Sequence, residues 1–106
     1  MPPNCKFEVD DFDEEWTYEQ KFSLVHGRMI SPFSADFSKT FERCFDAIEP
    51  GGWFELQNVY LPILADDGTF AGTDFERWTQ LFMEACQKTG RDPQWPAKFK
   101  DALTDV

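Results

Sequence analysis

The chain has 106 residues, with 10 Lys plus Arg against 20 Asp plus Glu and a formal net charge of −10 at pH 7. That length holds one domain with a modest core, and the deficit of cations excludes general phosphate-backbone binding and a polybasic membrane contact. Hydrophobic residues reach 42% and aromatics 17%, with 12 Phe and 4 Trp, so a packed core is expected rather than an acidic disordered tail.

The first segment, Cys5 to Asp10, alternates Phe7 and Val9 with Lys6, Glu8 and Asp10, the period of a strand. An acidic loop follows from Asp11 to Glu15 and ends at Trp16. The run Phe22 to His26 is apolar enough for a buried strand, with Gly27 and Ser31-Pro32 marking the loop after it. Ala35 to Ile48 has helical spacing, with Phe37, Phe41, Phe45 and Ile48 on one expected face. Ser34 or Asp36 can cap its start, and Pro50-Gly51-Gly52 stops it. Trp53 to Ile63 reads as a strand, and Asp66-Asp67-Gly68 as a turn.

Thr73 and Glu76 form a capping box, each side chain expected on the other's backbone amide. The helix they open carries Phe75, Trp78, Leu81, Phe82 and Ala85 on one face, and Gly90 closes it. A short helix is expected around Ala97 to Leu103. The order strand, strand, helix, strand, helix implies an α/β fold with a parallel sheet. Such sheets are covered on both faces, so this thin one is expected to be incomplete.

No apolar run approaches the roughly 20 residues that span a bilayer, and MPPNCKFEVDD has no hydrophobic export region. Cys5, Cys44 and Cys86 form no CxxC and are read as reduced thiols. No metal site is expected: His26 is the one histidine, and the acidic stretch fails the calcium-loop pattern at its sixth position, Trp16 counted from Asp11. Neither GxGxxG nor GxxxxGK[ST] nor GxSxG is present. Asp10 and Asp11 are singled out because they end an expected parallel strand, where ligands bind. A carboxylate there can accept from an adenine amino group or a ribose hydroxyl, whereas Asp13 to Glu15 are read as a solvated loop. His26 and Arg28 follow the next strand by the same logic. His26 is either a half-buried structural histidine or a ligand-lining proton acceptor. Arg28 is an ion-pair partner for the acidic loop or an anion contact.

At these residues the chain resembles the fungal class I S-adenosylmethionine-dependent methyltransferases related to the LaeA regulator of secondary metabolism. Pro3 to Asp11 with Trp16-Thr17-Tyr18 is similar to that family's third strand and adenine loop. Phe22 to Arg28 is similar to its fourth strand, with a His-x-Arg, and Asp36 through Glu55 to its next helix and fifth strand with a Pro-Gly-Gly-Trp turn. Asp66 to Thr69 and the helix containing Trp78 also fit. The resemblance implies a partial Rossmann-like methyltransferase fold, about strands 3 to 5, over a single partial domain 1–106. It implies S-adenosylmethionine as cofactor, with Asp11 near the adenine amino group, the Phe12 backbone against the ring, and His26, Gly27 and Arg28 beside the methionine portion; Asp10 joins the cofactor-binding set from the strand-end reading. Ser23 departs from the Asp the family usually has there. The family's glycine-rich loop would lie before Met1, so this chain alone is not expected to methylate. The methyl acceptor is not legible, and the analogy points to cytoplasm or nucleus. The alternative is an inactive remnant that acts as a protein-interaction module, a partner covering its exposed sheet edge.

Overall fold

The computed structural model describes residues Met1–Val106. Its elements in chain order are β1 (Phe22–Arg28), α1 (Phe37–Ala47), β2 (Ile48–Gln57), α2 (Asp74–Lys88), a 3-10 turn (Trp95–Lys98) and α3 (Phe99–Thr104). β1 and β2 pair in parallel and make a two-stranded sheet, joined by α1. The fold is therefore α/β, as the order of elements implied, with fewer strands.

Cys5 to Asp10 is the missing strand, since residues 1–21 form no regular structure and this segment is exposed. Alternation gives a strand two unlike faces but supplies no ladder partner. β2 is the only strand paired with β1, and nothing pairs with Cys5 to Asp10.

α1 starts where Asp36 turns its carboxylate back onto the amides of Ser38 and Lys39, satisfying two of the donors a helix start leaves free. It ends at Ala47 because the chain turns extended at Ile48, and Glu49, preceding Pro50, is restricted to extended backbone. Phe37, Thr40, Phe41 and Cys44 are its buried residues. Phe45, expected on this face, is 65% exposed. Eight residues after Phe37, it has drifted about 80° around the helix at about 100° per residue, and Cys44 takes the inward place.

Between Phe22 and Leu24 the register breaks. Phe22 pairs with Ile48 and Leu24 with Trp53, so Glu49 to Gly52 bulge opposite Ser23 alone. Pro50-Gly51-Gly52 is thus a wide bulge inside β2 rather than a turn before it. Gly51 sits at φ +85°, and a Cβ on Gly52 would lie 2.6 Å from Ile48 Cγ2 and 3.0 Å from the carbonyl oxygens of Glu49 and Ser23. β2 stops at Gln57 and does not reach Ile63 as expected. Its partner ends at Arg28, Met29 turns to φ 55°, and no strand is left to pair with.

One face of the sheet is covered. Phe54 meets Phe41, and Phe37 and Phe41 pack with Trp95 and Phe99 in an aromatic cluster with centroid distances of 5.2–5.8 Å. Such pairs add about 0.5–1.5 kcal/mol each beyond area burial. The cluster fixes the C-terminal segment, whose short helices overlap the expected Ala97 to Leu103, onto α1. The opposite sheet face carries the pairs Leu24–Trp53, His26–Glu55 and Arg28–Gln57, with Leu24 53% and Trp53 74% exposed.

α2 begins at the Thr73 cap, whose hydroxyl accepts from Glu76 N–H. Glu76 reaches back to Gly72 N–H at 2.7 Å instead of to Thr73, whose own N–H is held by Phe70. The expected reciprocal box is therefore displaced by one residue on one side. At the other end Gly90, at φ +73°, lets the Gly90 and Arg91 amides bond Gln87 and Cys86, a glycine stop of the expected kind. The expected apolar face of α2 is not a core face: Phe75, Trp78 and Leu81 are exposed, and Thr79 and Cys86 are the buried residues. α2 lies against the loops that leave the sheet, where Trp78 and Phe82 meet Met29, Phe33, Val59 and Leu61 around one cavity.

Candidate functional site

Two of the clefts beside the sheet bear on the site. The first, about 500 Å³, lies between the N-terminal segment and β1 and is lined by Lys6, Glu8, Trp16, Tyr18, Gln20, Phe22, Leu24, Val25 and His26. Trp16, Tyr18 and Phe22 form an edge-to-face series at 5.7 and 5.1 Å that seats the segment on the strand. His26 is half-exposed, with its Nδ1 3.7 Å from the Glu55 carboxylate across the strand pair. Glu55 also accepts from the Gln57 amide at 3.2 Å.

Of the six residues picked out in the sequence, His26 alone lines this cleft. Asp10 accepts from the Asp11 N–H, and Asp11 accepts from the Asp13 N–H at 3.0 Å. Both are exposed acceptors with a second carboxylate oxygen that forms no bond in the fold. The Phe12 carbonyl accepts from the Trp16 indole at 3.0 Å. Gly27 faces α1's side of the sheet, where a Cβ would stand 2.9 Å from Leu56, so its lack of a side chain is a packing requirement. Arg28 is exposed and pairs with neither the acidic loop nor any other carboxylate; the ion pairs are His26–Glu55, Lys39–Asp36 and Lys98–Asp92.

Asp13 was missed by sequence reasoning. Its carboxylate is not solvated as expected: it accepts from Ser34 Oγ at 2.8 Å, Ala35 N–H at 2.7 Å and Thr40 Oγ1 at 3.3 Å. It latches the acidic loop onto the start of α1. Partners more than 20 residues away leave no local spacing by which to find it.

The second cleft lies at the carboxyl ends of both strands. Met29 N–H bonds the Gln57 carbonyl at 2.8 Å, and Ser31 N–H bonds Asn58 Oδ1 at 3.0 Å. These bonds tie the loop after β1 to the loop after β2. No helix is long and apolar enough to cross a membrane, and no group of three or more His, Cys, Asp or Glu gathers as a metal would require.

A parallel strand–helix–strand unit with its loops gathered at the carboxyl ends of the strands is the ligand-binding arrangement of open α/β proteins. Comparison of sequences gives the family: the chain is a relative of fungal methyltransferases, LaeA among them, over most of its length. It is 34% identical over 100 residues to "Probable methyltransferase tdiE" of Emericella nidulans, covering 93% of this chain and 31% of that protein. It is 31% identical over 91 residues to "Methyltransferase pytC" of Aspergillus terreus, covering 85% and 28%. It is 30% identical over 92 residues to "Secondary metabolism regulator laeA" of Aspergillus fumigatus, covering 85% and 25%. The chain thus spans between 25% and 31% of the length of these relatives. No family model and no solved structure matches it.

Proposed function

We propose that the chain is part of an S-adenosylmethionine-dependent methyltransferase of class I, Rossmann-like fold, acting within fungal secondary metabolism. The observation that carries this reading is the relationship to methyltransferases over 93% of the chain, and the parallel β1–α1–β2 unit is consistent with it.

The cofactor brings a sulfonium methyl donor. The residues here match its chemistry in part. Asp10 and Asp11 offer exposed acceptors for the adenine amino group and ribose hydroxyls, and the Phe12 backbone lies between Asp11 and its Trp16 partner. His26, Gly27 and Arg28 run along β1 toward its carboxyl end. They would border the methionine portion, with Glu55 steadying the imidazole. Enzymes of this class gain chiefly from alignment of donor and acceptor, and positioning is the role given to these residues. The acceptor is a substrate of unassigned class, and a cytoplasmic or nuclear location goes with this reading.

Calorimetric titration of the purified chain with S-adenosylmethionine tests the reading. Saturable binding is expected, weakened about tenfold by Asp11→Asn, the order of one charge-assisted hydrogen bond. The amide oxygen retained in that variant still serves Asp13 N–H. Absence of binding by a chain that circular dichroism shows folded would overturn the cofactor assignment for these residues.

The exposed Leu24–Trp53 pair favours a second reading, an inactive protein-interaction module. A parallel sheet is ordinarily covered on both faces, and a partner protein would cover this one. Loss of cofactor binding together with capture of a defined partner through this face would favour it.

A further inference from the structure

The cavity at the carboxyl ends of β1 and β2 takes no part in the cofactor reading. Its volume is about 290 Å³, and Met29, Phe33, Val59, Leu61, Trp78 and Phe82 supply most of its wall. Trp78 and Phe82 are stacked, with centroids 5.4 Å apart and planes 12° from parallel. One polar residue, Ser31, stands in this apolar wall. Its relative exposure is 9%, and its hydroxyl has no hydrogen-bond partner. The amide nitrogen of Asn58, whose oxygen holds Ser31 N–H, is likewise buried and unpartnered. Buried polar groups are rarely left unpaired, because each such group costs about 1–3 kcal/mol. Of the two, Ser31 belongs to the aromatic-walled cavity at the strand ends, and its hydroxyl calls for a ligand atom.

We propose that this cavity binds a small, flat, uncharged molecule: one aromatic ring system carrying a single hydroxyl or carbonyl group that pairs with Ser31 Oγ. Size limits it, since about 290 Å³ is at the lower end of small-molecule pockets. Charge limits it too. No Lys or Arg lines the cavity, and the chain carries a net charge of −10, so an anion is disfavoured. The stacked Trp78 and Phe82 rings favour a planar partner.

The test uses 2-naphthol and its near-isostere 2-methylnaphthalene, titrated into the full chain without S-adenosylmethionine. Binding is read from the Trp78 indole N–H in NMR spectra, so the result is independent of the cofactor assignment. 2-Naphthol is expected to bind saturably and about fivefold more tightly than 2-methylnaphthalene, the order of one neutral hydrogen bond. Ser31→Ala should remove most of that preference while leaving the fold intact, because it deletes an unpaired hydroxyl. Val59→Trp, at a half-exposed wall position, should fill the cavity and abolish binding of both probes. Equal affinities in the unmodified chain, or binding unaffected by Val59→Trp, would overturn the proposal.

Discussion

Gly51 and Gly52 are neighbours in sequence and are constrained by different physics. At Gly51 the strain is in the backbone, at φ +85° with no atom within 4 Å of an added Cβ. At Gly52 the strain is steric, from three close atoms, two of them backbone carbonyl oxygens. Gly51→Ala should therefore cost about 1–2 kcal/mol, the left-handed penalty of an L-residue. Gly52→Ala should cost about 1–3 kcal/mol or more, in the range of overpacking, because the carbonyls cannot withdraw without opening the bulge. Urea denaturation of the two variants checks the order. At Cys44 burial dominates: it pushes the thiol up to about 12, against the opposing pull of Arg43. Because the folded value is raised, its contribution to stability is full below the ordinary 9.0 and is lost as pH rises toward about 12.

At the scale of elements, the C-terminal segment is held by a small electrostatic device. Burial alone would raise the Asp92 carboxyl, but Lys98 at 2.9 Å and the Gln94 N–H outweigh it and hold it below the ordinary 3.8. A depressed carboxylate stabilises the fold at pH values above its unfolded value. That contribution is lost as pH falls through the lower folded value. Lys98→Met should therefore flatten the part of the stability–pH curve below about pH 4, measured by urea midpoints between neutral and acid pH. The effect is expected to be small, because both side chains are more than one-third exposed.

Helix ends were legible because their signals are local. Asp36, Thr73 and Gly90 each act within a few residues of themselves. β1 was legible from its apolar run, although none of its residues is fully buried, and periodicity gave the core face of α1 at Phe37 and Phe41 but not at Phe45. What failed was everything that depends on a distant partner. The Phe7/Val9 alternation had no strand to pair with, and the extended run beyond Gln57 outlasted β1. The Trp78 face of α2 met loops instead of a sheet. The candidate site divides in the same way. His26 lies on β1 and lines the first cleft, whereas Arg28 found no acidic partner. The Asp13 latch and the Ser31–Asn58 pair join loops far apart in sequence and leave no spacing to read.

The whole molecule is loosely filled. Ten of 106 residues are buried, and the radius of gyration is 16.8 Å, against about 13 Å for a compact domain of this size. Its extents are 51 × 37 × 27 Å. An expanded chain with Leu24 and Trp53 exposed on an open sheet face should associate as its concentration rises. Sedimentation velocity should show mass growing with concentration for the unmodified chain, and Leu24→Lys with Trp53→Lys should return it toward monomer.

The bulge in β2 has a consequence for what that sheet face can be. Side chains along a strand alternate sides, so position is a matter of odd and even. Phe22 to Leu24 is an even step, and its partner step, Ile48 to Trp53, is odd. The four residues Glu49 to Gly52 therefore act as a parity inverter. They put Trp53, Glu55 and Gln57 on the side of Leu24, His26 and Arg28, and they leave Phe54 and Leu56 for α1. Without the three extra residues the step from Ile48 would equal the two-residue step from Phe22 to Leu24, and the same two faces would follow from plain alternation. The identity of both faces of the sheet thus rests on how the chain turns within Glu49 to Gly52, where alternation is broken.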